Sequence, residues 1–237
     1  MCLILFSVDP DTETHLVVAA NRDEQHARPT ASADYWSDDP KLLAGRDLQA
    51  GGTWLGVTTS GRFAAVTNFA ESPPEPIPPR SRGDLTSNFL RGSMSSEDYL
   101  TETHSQADEY RGFNLIVSDG TKVCYYSNRD KQIKHLTKGH YGLSNQLLDC
   151  DWPKVNSARS ELKASQERNY PVKDLFQLLG DKGTDQAHSA RFILGLTYGT
   201  CASTVVKLHS RGLHFEERCY SASGTQASTN VFTLGQN

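Results

Sequence analysis

Apolar residues along this chain gather in short runs, and the runs come in pairs separated by turn-forming residues. Residues 2–8 (CLILFSV) and 16–22 flank the turn-rich VDPDTETH. Residues 54–59 and 62–69 flank Thr59-Ser60-Gly61, residues 113–118 and 121–127 flank Asp119-Gly120, and residues 204–209 and 213–220 flank Ser210-Arg211-Gly212. Two apolar runs with Gly, Asn, Asp or Ser between them specify a β-hairpin, because those residues accept the backbone angles of a tight turn. A short strand at 141–145 and a last one at 229–234 complete the set.

A different periodicity lies between the hairpins. A helix containing Thr86 to Arg91 opens after Arg82-Gly83-Asp84. Ser95 and Ser96 followed by Glu97-Asp98 read as an N-cap with an acidic first turn, starting a helix to about residue 110. Pro153 fits the first position of a helix running to about 168. Pro171 opens another that sets Val172, Leu175, Phe176, Leu178 and Leu179 on one face and stops at Gly180. The order is thus four strands, helices, two strands, helices, then strands. Adjacent hairpins imply antiparallel sheets, and paired helices imply layers that cover them. Two sheets sandwiched between helical layers fit this order, and so does a plain α+β domain. The proline-rich ESPPEPIPPR at 71–80 is expected to be an exposed extended loop, since proline cannot donate within a central strand.

Composition narrows the picture. The 237 residues suit one domain over 1–237, and 37% of them are hydrophobic, enough to bury a core. With 24 basic and 28 acidic residues and no basic block, nothing supports nucleic-acid binding. Five cysteines at 2, 124, 150, 201 and 219 are odd in number and form no CxxC, which argues for a reducing compartment over a disulfide framework or zinc site. Cys124 and Cys219 are expected to be core residues on strands. The eight histidines form no HxH or HExxH pattern, so no metal is expected. The apolar start lacks a basic flank and meets Asp9-Pro10-Asp11 at once, which predicts a strand and turn, not a targeting signal. No run approaches the ~20 apolar residues of a membrane span.

Cys2 is the leading chemical candidate. Removal of Met1 would place a thiol and a free α-amine on one residue, and the amine could serve as base for its own side chain. The ordinary alternative is a buried core cysteine. Asn21-Arg22-Asp23-Glu24 follows the second strand. Four polar residues there usually mean that a strand has reached solvent; functionally, Asp23 would hold the α-amine and Arg22 would supply positive charge near the thiolate. Side chains alternate along a strand, so only one of the two points at Cys2 unless the backbone bends. Gly51-Gly52 permits a close-approach backbone before Trp54, or an ordinary turn. Asn68 and Asn145 end strands, where side-chain amides can donate to an oxyanion or simply cap a turn.

Taken together, the Met-Cys strand, AANRDE (19–24), GRDLQAGGTWLGV (45–57), TNF (67–69), SRGDL (81–85), FNLIVSD (113–119) and YGLSNQLLDCDWPKV (141–155) resemble the NRDE family, also called the transport and Golgi organisation protein 2 family. That family looks like a branch of the N-terminal-nucleophile hydrolases, near the cholylglycine hydrolases and acid ceramidases. The resemblance implies a four-layer αββα sandwich. It implies Cys2 as candidate nucleophile, Asp23 holding its amine, and Asn68 and Asn145 near the oxyanion. Two departures stand out. The Arg-Asn-x-Asp of those hydrolases is Ala20-Asn21-Arg22-Asp23 here, and the arginine that relatives often show after Gly-Thr is Cys201.

Three functions follow as expectations. One is an amidohydrolase acting on a non-peptide C–N bond of a small molecule. The next is a carrier that holds haem or an acyl-lipid in the same pocket without turnover, with haem as ligand and not as a required cofactor. The last is an interaction protein of secretory or membrane organisation, for which the chain shows no lipid anchor or coiled-coil heptads. The expected location is the cytoplasm, with mitochondrial or Golgi association left open.

Overall fold

The computed structural model describes residues 2–71 and 80–235. Met1 and most of the expected 71–80 loop lie outside the described residues. The described chain divides into two compact units, each discontinuous in sequence. The first comprises 1–28, 138–144 and 148–237; the second comprises 29–137 and 145–147.

The first unit is built on β1 (Leu3–Val8), β2 (Thr14–Gln25), β10 (Gly139–Leu143), β11 (Tyr198–His209), β12 (Gly212–Tyr220) and β13 (Gln226–Leu234), in the order β10-β1-β2-β11-β12-β13. Every pairing is antiparallel. Helices α3 (Pro153–Ser165) and α4 (Val172–Leu179) pack on one face of this sheet. There Leu3, Leu5, Val17, Ala19 and Val205 meet Val155, Ala158, Leu162, Leu175 and Leu179. The alternate residues Ile4, Phe6, Leu16, Val18 and Ala20 are buried as well. That two-sided burial is why β1 reads as an unbroken apolar run and not as an alternating one.

The second unit is a seven-stranded antiparallel sheet. Its order is β3 (Thr30–Trp36), β4 (Asp39–Asp47), β5 (Leu55–Thr58), β6 (Phe63–Asn68), β7 (Phe113–Ser118), β8 (Val123–Ser127) and β9 (Ile133–Leu136). Helices α1 (Arg82–Arg91) and α2 (Ser96–Ser105) pack against one face, where Leu85, Phe89 and Leu100 meet Leu115, Val117 and Tyr126. Two of the expected helix starts are found, whereas α1 opens earlier than expected, at Arg82 behind a Ser81 cap. Ser95 accepts from the Asp98 N–H, and Pro153 occupies the start of α3. Helix α2 stops at Ser105, short of 110, and a single 3-10 turn at 107–109 follows.

Three strands have no counterpart in the sequence reading. β3 and β9 are edge strands, and edges need little apolar surface: in β3 only Ala33 and Trp36 are buried. β4 begins Asp39-Pro40-Lys41, residues that read as a turn, before its buried Leu42-Leu43-Ala44. Cys124 lies buried on β8 as expected. Cys219 corrects the expectation: it is on β12 but only half-buried, because β13 beside it is an exposed edge strand.

The glycine pair at 51–52 joins two of the sequence motifs. Gly51 has φ +83°, and a Cβ on Gly52 would stand 2.6 Å from the Gly83 carbonyl carbon at the start of α1. Gly52→Ala is therefore expected to destabilise this unit by about 2–3 kcal/mol through overpacking against backbone that cannot yield. Gly51→Ala, with open space but a left-handed backbone, should cost about 1–2 kcal/mol. Urea denaturation of both variants checks the order; a Gly52→Ala protein as stable as the parent would contradict it.

Candidate active site

The second strand does not reach solvent at its polar motif. β2 runs on to Gln25, and Asn21, Arg22 and Asp23 are all buried. Asn21 Nδ2 donates to the carbonyls of Leu179 and Arg191, and Asn21 Oδ1 accepts from Ser203 Oγ at 2.6 Å. Asn21 thus fastens the strand to the end of α4 and to the segment leading into β11. Arg22 lies 3.6 Å from Glu24, which also reaches Arg28 at 3.9 Å.

Asp23 is the residue that meets Cys2. Thr200 Oγ1 donates to Asp23 Oδ1 at 2.6 Å, and Tyr198 Oη donates to the Asp23 carbonyl at 3.1 Å. Thr200 Oγ1 itself accepts from the Ile193 N–H at 2.8 Å. The register between β2 and β11 shifts between Thr200 and Ala202, leaving Cys201 as the extra residue opposite the motif. Such a bulge re-aims side chains at the point where ladder pairing is interrupted. Cys201 Sγ lies 3.6 Å from His26 Nδ1.

Cys2 stands immediately before β1, partly exposed, with its Sγ 3.9 Å from the Asp23 carbonyl oxygen. Its own carbonyl accepts from Ser144 Oγ at 2.7 Å. Burial pushes the thiol up. The Asp23 carboxylate adds to the rise, and Arg22 acts the other way. Burial also lifts the Asp23 carboxyl to about 6, against the Thr200 hydrogen bond and the Lys154 charge, which favour ionisation.

Lys154 carries no role in the sequence reading. It lies in the first turn of α3, is 1% exposed, and its Nζ has no hydrogen-bond partner among the described residues. The segment reaching it is folded back by a reciprocal pair, the Gly142 N–H to Asp149 Oδ1 and the Asp149 N–H to the Gly142 carbonyl, both 2.8 Å. A legible signal did exist: a lysine in a helix's first turn opposes the helix dipole.

Asn68 and Asn145 belong to the second unit, and the fold brings them together. Asn145 Nδ2 donates to the Asn68 carbonyl at 2.8 Å, and the Asn145 carbonyl accepts from the Ala70 N–H. Asn145 is buried, whereas the Asn68 side chain is exposed. Asn114, unremarked in the sequence, donates to Thr67 Oγ1 and to the Gln146 carbonyl and accepts from Tyr125 Oη, fixing this corner. Among the described residues no group of three or more His, Cys, Asp or Glu could hold a metal, and no helix is long and apolar enough to cross a membrane.

The fold is that of the N-terminal-nucleophile hydrolases, in the α+β class. The chain is similar to the C2A mutant of the conjugated bile acid hydrolase from Clostridium perfringens, with a TM-score of 0.55 over 98% of this chain and 92% of that one, at 10% identity. The chain belongs to the Transport and Golgi organisation 2 family, whose model matches residues 1–222. It is 34% identical to the Transport and Golgi organization 2 homolog of Mus musculus and 40% identical to the Transport and Golgi organization protein 2 homolog of Bos taurus. In both cases 99% of each chain is covered.

Proposed function

We propose that the chain is a cysteine N-terminal-nucleophile amidohydrolase acting on a non-peptide C–N bond of a small molecule. The observation that carries this reading is the pairing of Cys2 with a buried, oriented Asp23 at the ends of β1 and β2. Removal of Met1 would leave the α-amine on Cys2, where Asp23 can hold it. The amine then takes the thiol proton as sulfur attacks the amide carbonyl. The developing oxyanion requires amide N–H donors. The C–N bond breaks, the proton passes to the leaving amine, and a thioester remains on Cys2. Water attacks the thioester, the acid leaves, and the thiol recovers its proton.

The test pairs intact mass with a cysteine-reactive acyl probe. Protein lacking Met1 should take up one acyl group, on Cys2, and release it with time. Equal labelling of all five cysteines, or protein without Met1 that takes none, would overturn the reading. Stable retention of haem or an acyl-lipid with no release of product would identify a carrier instead.

A further inference from the structure

We infer that Cys201 is a covalent modification site for low-molecular-weight disulfides, with His26 as the base that takes its proton. Both residues lie in the first unit. His26 follows β2, and its ring is held from three sides. Its backbone N–H donates to the Thr197 carbonyl at 2.9 Å, and its Nε2 lies 3.0 Å from the Gly195 carbonyl oxygen. The ring also lies against Gly199, where an added Cβ would stand 3.3 Å from both Cε1 and Nε2. A carbonyl oxygen can only accept, so Nε2 carries the proton and Nδ1 of the neutral ring presents a lone pair. Cys201 Sγ lies 3.6 Å from that Nδ1. A nucleophile, a base within reach of it, and a third group that orients the base form the arrangement that activates a thiol.

The sulfur is poorly explained as structure. Cys201 is the extra residue of the β11 bulge and is half-buried, so a small reagent can reach it. Its other polar neighbours are the Gly199 and Glu24 carbonyl oxygens, at 3.5 and 3.6 Å. A serine would donate to any of these three acceptors more strongly than the weak S–H donor does. Of the three, only the imidazole can carry the proton away. Burial raises the thiol and Arg22 draws it back only in part, so the proton moves as sulfur attacks. The two carbonyls also select the substrate. Acyl transfer builds negative charge on an oxygen and needs N–H donors beside it, whereas the neighbours here are acceptors. Exchange with a disulfide keeps the charge on sulfur. The Cys201 S–H proton passes to His26 Nδ1, and sulfur bonds to one sulfur of the disulfide. The S–S bond of the disulfide breaks, and the departing thiolate leaves as a thiol with the proton from His26. One thiol and one disulfide thus give one mixed disulfide and one thiol, with no further oxidant. Cys124 makes a comparable contact, 3.5 Å to His135 Nδ1, but it is 0% exposed and closed to such a reagent.

The experiment exposes the reduced full-length protein to oxidised glutathione at neutral pH and follows the mixed disulfide at each cysteine by peptide mass spectrometry. Cys201 should react at least about tenfold faster than Cys150 and Cys219, which are also half-buried, and Cys124 should stay protected. His26→Gln can still donate to the Gly195 carbonyl but takes no proton. It should slow Cys201 by about tenfold or more and leave Cys150 and Cys219 unchanged. In concentrated urea, where the pairing is lost, the parent's cysteines should react alike. A Cys201 no faster than Cys219 in the folded parent, a rate unchanged in His26→Gln, or a preference that survives unfolding overturns the inference. Should His26→Gln fail to fold, the folded and unfolded parent decide it alone. Cys2 is read on its own peptide, so the result holds whether or not Cys2 is a nucleophile.

Discussion

Cys2→Ala is expected to reduce amide turnover by at least ~10³-fold, to the level that binding and oxyanion contacts alone sustain. The size follows from the chemistry. Without sulfur no thioester forms, and one hard step is no longer split into two easier ones. The fold should barely notice. Cys2 precedes β1, is partly exposed, and its carbonyl bond from Ser144 is a main-chain contact that alanine retains. A change of under about 1 kcal/mol in unfolding free energy is expected. Loss of turnover at unchanged stability separates a missing nucleophile from a damaged domain. Turnover that survives Cys2→Ala would remove the hydrolase proposal at its root, because no other cysteine is paired with Asp23 in the same way: Cys124 is buried on β8, and burial raises its thiol to about 11.

Much of the architecture was legible because its strands are either continuous apolar runs or bounded by strong turns. β1, β2, β7, β8 and β12 follow from that pattern, and Ser95 and Pro153 mark their helices correctly. What escaped is informative. β3 and β9 lie at sheet edges and bury few side chains, so they lack the signal. The first half of β11, Tyr198 to Ser203, is small and polar because it carries Thr200 and the bulge at Cys201, which serve the site and not a core. The same conflict hid the meaning of Asn21-Arg22-Asp23. Polar residues closing an apolar strand ordinarily signal solvent. Here they are buried because their partners come from α4, from the segment around Arg191 and from β11, between 158 and 182 residues away in sequence. No local pattern carries such pairings. Lys154 escaped for a related reason: a lysine is read as surface by default, its unfavourable place in the first turn of α3 is the one local sign, and the packing of α3 on β1 buries it.

Asp23→Asn should then give the second large effect, and in opposite directions for stability and function. Burial holds the folded Asp23 carboxyl at about 6, above its unfolded value near 4. Between those limits the folded state keeps a proton that the unfolded state has released. Stability therefore falls as pH rises through roughly 4 to 6 and is flat above, with a loss of up to about 3 kcal/mol at pH 7. Asparagine has no charge to desolvate, and its side-chain oxygen can still accept from Thr200 Oγ1. The variant should match the parent near pH 4 and exceed it by about 2 kcal/mol at pH 7, with the slope between removed. Urea denaturation at pH 4, 5, 6 and 7 reads this directly. Turnover at neutral pH should fall by about 10²-fold or more, since a neutral amide cannot hold the α-amine as a carboxylate does. A variant more stable yet inactive is the signature of a charge kept for chemistry at the expense of the fold. A variant less stable at pH 7, with the parent's pH slope intact, would mean instead that the Asp23 carboxylate is a net structural contributor and that its burial serves the sheet alone.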